Sequence, residues 1–319
     1  GIEVYKGVVP VHLGADALGG AVNVTTDQNV SNFINASYSI GSFNTHRASL
    51  LARYTEAKTG LTFNANLFYN YSDNNFRMRG VEVPRPDGSG KVDTVDVDRF
   101  HDAYVSKTAQ LEIGVVNKPY ADRLFIGLIA SGNEKEIQTG LNMQDVFGEV
   151  TTEDKVLIPT LKYVKEDLFI PGLDLRAYGM LNHREAIRID TSSRTYNWYG
   201  EYTTRINNAG EFSYNKSLFV FEDDSELATA NLSYSLNEHH SFSLNHTYSK
   251  FTRVGQDSMR QYSEVPFTTP NTISKNISAF AYNLSLLDGK WKTSFFTKLF
   301  MMNSNTQVEN DESGELETF

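Results

Sequence analysis

The segment Leu61-Thr62-Phe63-Asn64-Ala65-Asn66-Leu67-Phe68-Tyr69-Asn70-Tyr71-Ser72 (61–72) changes character at almost every step. Leu61, Phe63, Ala65, Leu67, Tyr69 and Tyr71 share one parity; Thr62, Asn64, Asn66, Asn70 and Ser72 share the other, broken only by Phe68. Successive side chains of an extended chain point to opposite faces, so the pattern specifies a strand with one apolar and one polar surface. At about 3.3 Å per residue and a tilt near 45°, the stretch is long enough to cross the apolar band of about 25 Å on a transmembrane barrel. A strand of an ordinary soluble domain averages about 5 to 6 residues.

The same reading extends in both directions. Upstream, Ile34, Ala36, Tyr38 and Ile40 lie on one parity, as do Ala48, Leu50, Ala52 and Tyr54 opposite Arg47, Ser49 and Arg53. Downstream, Val105, Ala109, Leu111, Ile113 and Val115 oppose Ser106, Thr108, Gln110 and Glu112, with Lys107 interrupting the apolar side. The alternation returns from Leu173 to Leu181, Ala230 to Leu236, Phe242 to Tyr248, Phe280 to Leu286 and Trp291 to Met301, and more weakly near 124–131 and 155–165. This gives about eleven strands. His246 falls on the apolar face between Leu244 and Tyr248, where it either sits at an interface or marks a register slip. Tyr54, Tyr69, Tyr71, Tyr234, Tyr248, Tyr282 and Trp291 share the apolar face, mostly near strand ends, as half-wet interfacial rings do.

Soluble sandwiches and propellers also alternate, so the connections decide. Links near 57–60, 117–122, 166–172, 237–240 and 288–290 are brief; those near 73–101, 132–153, 185–225 and 251–274 are long and fall on the opposite parity. Only the link at 41–45 is short on the long side. Antiparallel strands whose ends face two compartments produce this asymmetry. The expected fold is all-β, a transmembrane antiparallel β-barrel.

Bulk composition hides the pattern, because 40% hydrophobic residues and a mean hydropathy of -0.39 average over alternating faces. No apolar run approaches the roughly 20 residues that a spanning helix needs. The absence of cysteine excludes a disulfide framework, a thiolate metal site and a cysteine nucleophile. A formal charge of -10 opposes binding to a phosphate backbone, so nucleic acid is not an expected partner.

Residues 1–26 break the alternation. A short strand, Ile2-Glu3-Val4-Tyr5-Lys6, runs into a turn at Gly7 to Pro10, and Gly19-Gly20 permits unusual φ before a second strand containing Asn23 and Thr25. The order of Ile2, Glu3, Lys6, Gly7, Gly14, Gly19, Gly20, Asn23 and Thr25 resembles the end of the plug domain of TonB-dependent outer-membrane receptors of the Bacteroidetes type. Leu13 stands where that family commonly has Tyr, and Val8 where Pro often follows the glycine.

The resemblance implies that 1–28 is the C-terminal part of a plug and 29–319 the N-terminal half of a plugged barrel of about 22 strands. It implies active import of a scarce nutrient, a ferric siderophore or similar large chelate, driven by an inner-membrane TonB-type complex that acts through the missing part of the plug. Outer-membrane lipid, that complex and the chelate are the implied partners, and a surface lipoprotein is left open as another. The starch-utilisation signature is missing, so a glycan or peptide importer ranks behind a chelate importer. A structural or adhesive barrel that binds a partner protein through its loops is the alternative outside transport. Lys6 occupies the family's basic position, and its charge calls for a carboxylate on the inner wall, from Glu112 or from the other half of the barrel, unless the side chain simply reaches water in a wet lumen.

Candidate ligand residues cluster in two long loops. Arg194, Tyr196, Trp198, Tyr199 and Tyr202 can grip an aromatic or anionic ligand by stacking and charge, or pack the loop against itself. Arg77 and Arg79, with Arg85, form a second cationic group. Adjacent His239 and His240 point oppositely on an extended chain, and Asp93, Asp96 and Asp98 lack calcium-loop spacing, so no metal or cofactor is expected. No Ser-His-Asp spacing or phosphate-cradling glycine loop appears, and a membrane hydrolase ranks last; the protein is read as a non-enzyme.

Overall fold

A computed structural model describes residues 1–7, 9–13, 19–24, 31–85, 89–207, 209–260, 268–288, 290–309 and 316–318. Two strands, β1 (Ile2–Lys6) and β2 (Gly20–Val24), form an antiparallel pair with a 3-10 turn, Val11–Leu13, between them. The remaining strands in chain order are β3 (Phe33–Gly41), β4 (Thr45–Thr55), β5 (Leu61–Ser72), β6 (Arg77–Pro84), β7 (Val92–Asp98), β8 (Tyr104–Lys118), β9 (Ala121–Glu136) and β10 (Thr151–Lys165). They continue as β11 (Leu173–Asp190), β12 (Arg194–Tyr196), β13 (Tyr202–Thr204), β14 (Ser217–Ser235), β15 (His240–Asp257), β16 (Asn271–Leu286), β17 (Trp291–Asn305), β18 (Gln307–Glu309) and β19 (Leu316–Thr318).

Eleven of these make one antiparallel sheet in the order β3-β4-β5-β8-β9-β10-β11-β14-β15-β16-β17. These are the eleven segments that the alternation marks. Every pairing in the sheet keeps a constant register, and that register continues each apolar row across the neighbouring strand. Ile34 faces Ala52, Ala52 faces Ala65, Ala65 faces Leu111 and Leu111 faces Leu128. A one-residue slip anywhere would turn a whole strand inside out, so the side-chain pattern and the register enforce each other. His246 obeys the rule: it pairs with Ala230 and Ser278 on the outward face, where its Nδ1 lies 2.9 Å from Ser278 Oγ. The register does not slip there.

The inner face is polar and cross-linked. Asn64 Nδ2 donates to Glu112 Oε2 at 3.1 Å, and Asn66 Nδ2 to Gln110 Oε1 at 3.3 Å. Asn35, Asn231, Asn245 and Asn283, each opening an Asn-x-Ser/Thr triplet, belong to this stripe, with Asn231 directly opposite Asn245, which is 1% exposed. Inward-facing Ala279 and Ala281 on β16 form an apolar cluster with Val11 of the 3-10 turn. That contact identifies the concave side, because it seats the N-terminal segment against the polar face of the wall.

Three expectations need correction. The strands run further toward the long-loop end than their apolar rows do, so the links expected at 185–225 and 251–274 shrink to 191–216 and 258–270. Beyond the apolar band, ladder pairs such as Glu185 with Glu222 and Lys250 with Glu226 are charged, and charged positions do not alternate in hydropathy. The link expected at 73–101 contains its own hairpin, β6-β7, with a bulge between Met78 and Val81. Lys6 does not meet Glu112, whose carboxylate is taken by Asn64 of the adjacent β5 and by Lys162 of β10, which reaches it across β9; Lys6 is exposed.

Pro159 lies in the middle of β10, a strand paired on both sides, where proline removes a ladder donor. The register with β9 is unbroken there, while pairing with β11 skips Ile158 and Pro159.

The two faces differ most sharply between adjacent residues at the centre of β5. Ala65→Arg, on the outward face, should destabilise the barrel by about 2 to 4 kcal/mol, whereas inward Asn66→Arg should cost less. Urea unfolding of the lipid-reconstituted full-length protein measures both, and equal losses would contradict the assigned faces.

Candidate functional site

The N-terminal residues singled out by their order come together in one hairpin. Ile2 faces Val24, Glu3 faces Asn23 and Lys6 faces Gly20. Asn23 Nδ2 donates to Glu3 Oε2 at 2.8 Å, which gives these two polar residues a shared local purpose. Gly7 has φ +82° and donates its N–H to Gly19 O at 3.1 Å. Gly20 has φ +149°, and a Cβ there would lie 2.3 Å from Tyr5 O, so no side chain fits. Gly14, Thr25 and the boundary at 28/29 lie outside the described residues.

At the opposite end, three consecutive long connections fold onto one another. Val81, Val83 and Val97 of the β6-β7 hairpin, Val146 of the 137–150 link and Trp198 of the 191–216 link form a buried cluster, with Met78, Val95 and Tyr196 packed around it. Trp198 is 3% exposed and donates its indole N–H to Met143 O at 2.7 Å. Gln138, 1% exposed, accepts the N–H groups of Phe100 and His101 on Oε1 at 2.8 and 2.7 Å. The result is a cap with its own core, built from chain that carries no strand-length apolar pattern.

Among the expected ligand residues, Arg194 pairs with Glu149 and lies 4.5 Å from the centre of the Tyr202 ring. The Tyr196 hydroxyl donates to Glu149 Oε1 at 3.1 Å, and its ring lies against Gly148, where a Cβ would come within 2.7 Å of ring carbons. Burial of Trp198 assigns that ring to packing the cap and not to an open ligand surface. Tyr199 and Tyr202 remain 60% and 52% exposed. Arg77 and Arg79 are exposed on β6, Arg77 opposite Asp98, while Arg85 is bound to Asp93 at 2.6 Å. His239 and His240 diverge, His239 Nδ1 to Ser285 O and His240 Nδ1 to the Tyr282 hydroxyl.

A further group escaped the sequence reading. Asp223, 3% exposed on β14, receives Arg253 of β15 through Nε at 2.7 Å and Nη2 at 2.8 Å. It also receives Nη1 of Arg184 at 3.1 Å, and Arg184 reaches on to Asp154 of β10. This chain of charges rivets four adjacent strands on the lumen side just below the cap. Arg188, two residues above Arg184, lies over the rings of Phe212 and Phe219 at 4.9 and 5.9 Å. All of these side chains sit on the inward parity of their strands; that parity was the available signal.

The cap also contains a buried acid. Glu211, 6% exposed, accepts Gly148 N–H at 2.6 Å, while Asp190 beneath it accepts the N–H groups of Glu211, Phe212 and Ser213. Burial, followed by the nearby Glu149 and Asp190 charges, pushes the Glu211 carboxyl up to about 7. Glu149 itself is held below the usual carboxylate range by its bond to Ser192, helped by Tyr196 and Arg194.

Comparisons with known proteins fit this geometry. The chain superposes on the copper transporter OprC with a TM-score of 0.63 at 12% identity, covering 99% of this chain and 46% of that one. It superposes on the FrpB iron transporter from Neisseria meningitidis with 0.57 at 12% identity, covering 96% and 51%. For the siderophore receptor PiuA from Acinetobacter baumannii the values are 0.54 at 10% identity, covering 95% and 51%. No protein-family model and no curated protein matches the sequence. The fold is that of the TonB-dependent receptors. The chain spans about half the length of these solved structures.

Two measurements test the cap. Trp198→Ala should cost about 3 to 5 kcal/mol within the cap; limited proteolysis should then cut 137–150 and 191–216 rapidly while the strands stay intact. Because the Glu211 carboxyl is raised on folding, its contribution is fully present below the unfolded value near 4.5 and lost as pH rises through about 7. Protection of the cap should therefore fall between pH 5 and 8, and Glu211→Gln should flatten that dependence.

Proposed function

We propose that the chain is part of an outer-membrane transporter that imports a scarce nutrient, a ferric siderophore or similar large chelate, with energy from an inner-membrane TonB-type complex. The observation that carries this reading is the seating of the N-terminal hairpin's turn, through Val11, on the inward alanines of the wall. A segment lodged inside a wall with a polar inner and apolar outer surface is the arrangement of a gated pore, with the cap at its external mouth. The named neighbours are a siderophore receptor, an iron transporter and a copper transporter, which supports a metal-bearing cargo.

In this reading the apolar rows face lipid and the short turns face the periplasm. Exposed Tyr199, Tyr202, Arg77 and Arg79 make the first encounter with cargo, by stacking and by charge. Residues 1–28 are the end of the plug, whose rearrangement opens the path, and 29–319 supply half of the barrel wall.

Topology and transport are separate tests on the full-length protein in intact cells. Single cysteines placed at 73–101 and within 191–216 should react with an impermeant maleimide, whereas one at 237–240 should not; the chain contains no cysteine to interfere. Uptake of radiolabelled ferric siderophores should stop when the proton gradient is collapsed. Labelling of the 237–240 turn alone would overturn the orientation, and undiminished uptake without the gradient would overturn active transport.

A further inference from the structure

Arg188 differs from its inward neighbours Arg184 and Arg253, which are both held by Asp223. It lies directly opposite Phe219 in the ladder, makes no ion pair among the described residues, and has a buried Nε without a hydrogen-bond partner. Its guanidinium instead lies 4.9 Å from the centre of the Phe212 ring and 5.9 Å from that of Phe219. The carboxylates nearest it along the register are already occupied. Asp190 holds three backbone N–H groups, and Asp154 and Asp223 hold Arg184 and Arg253. Asp257, beyond Phe219, accepts from Ser217 Oγ and from the Leu218 and Met259 N–H groups, with Arg260 at 3.5 Å. In the cap, Glu211 is directed to the Gly148 N–H. Charges therefore balance around Arg188, and the site has no net pull on an anion. What it offers is one guanidinium plane with an unused N–H.

The ring on that plane is the one best able to leave it. Phe219 and Phe147 are buried, whereas Phe212 is 48% exposed, held between Phe147 of the neighbouring link, at 5.6 Å, and Arg188. The Phe212 backbone is fixed. Asp190 accepts its N–H and those of Glu211 and Ser213, and a Cβ on Gly210 would lie 2.3 Å from Asp190 Oδ2. A change of χ1 therefore swings the ring away without unfolding the turn. A hydrocarbon ring satisfies only the face of a guanidinium and leaves its N–H groups unmet. An aromatic ring that carries oxygen beside the stacking face satisfies both, so it has the advantage over Phe212.

We infer that Phe212 is a built-in stand-in for cargo, occupying Arg188 until an oxygen-bearing aromatic ring of a catechol- or salicyl-type chelate displaces it. Arg188 supplies the stacking plane and the N–H, Phe219 the second ring beside it, and Phe212 the competitor that keeps the site closed. The inference rests on the chelate-import reading and deepens it by naming the class of cargo. Displacement also frees Phe147 of its exposed neighbour, so arrival of cargo at the wall is felt in the 137–150 link of the cap.

The test is equilibrium binding of a radiolabelled ferric tris-catecholate, and of a ferric tris-hydroxamate of similar size, to the full-length receptor purified from outer membranes. Phe212→Ala should tighten the catecholate by about threefold to tenfold because the competitor is gone, and Arg188→Gln should weaken it by about tenfold. In the double variant the gain from Phe212→Ala should vanish, since no guanidinium is left to compete for. The hydroxamate should respond to neither substitution. Limited proteolysis checks that the cap of each variant is intact; if Phe212→Ala loosens it, Phe212→Leu, which keeps apolar bulk without the ring, should show the same gain. A Phe212 variant with an intact cap that binds catecholate no more tightly than the parent, or a gain shared equally by the hydroxamate, would overturn the inference and leave the chelate-import reading standing. Failure of both complexes to bind any of the proteins would remove that reading and the inference with it.

Discussion

The backbone ladder is the constraint on which the rest of the structure depends. A wall with hydrocarbon on one side has no water there to satisfy a stray N–H or C=O, so each strand must pair fully with its neighbours. The pairing then dictates side-chain direction, residue by residue, over the whole width of the sheet. Ala65 can face outward only because Ala52 and Leu111 beside it do the same. The same rule sends Asp223, Arg253 and Arg184 inward together, and there they satisfy one another. A single mechanical rule thus builds an apolar exterior, a polar lumen and the ionic rivets below the cap.

That rule also explains what was legible in the sequence. Apolar rows such as Leu61 to Tyr71 reveal themselves because one face meets a uniform medium. The awkward residues, Lys107 and His246, obey the register too, each through a local circumstance: an interfacial level for Lys107 and a serine partner for His246. The upper portions of β11, β14 and β15 were less visible, since outside the apolar band both faces meet polar surroundings and the alternation fades. The N-terminal hairpin was legible through its glycines, because φ values like those of Gly7 and Gly20 admit almost nothing else.

The cap was hidden for a different reason. Its core draws a few residues from links spread over about a hundred positions, Val81, Val83 and Val97 from one, Val146 from another, Trp198 from a third. No local period records such a contact. The cluster of Tyr196, Trp198, Tyr199 and Tyr202 looked uniform in sequence, yet packing divides it: Trp198 is interior, Tyr196 is pressed on Gly148, and Tyr199 and Tyr202 face out. Likewise, nothing in the sequence around Glu211 announces that its carboxyl lies above Asp190 and within reach of the Gly148 amide.

The eleven strands of the wall alternate in direction without exception, so β3 and β17, at its two edges, point the same way. An arc with an odd count cannot meet its own far edge, or the edge of a second copy rotated about the barrel axis, as an antiparallel neighbour. Any antiparallel closure of this arc must insert an odd number of further strands between β17 and β3. Arithmetic of this kind makes the wall selective about its complement: an inserted segment carrying one strand too many or too few would force a parallel seam, with slanted and weaker bonds, into the part of the molecule least able to tolerate one.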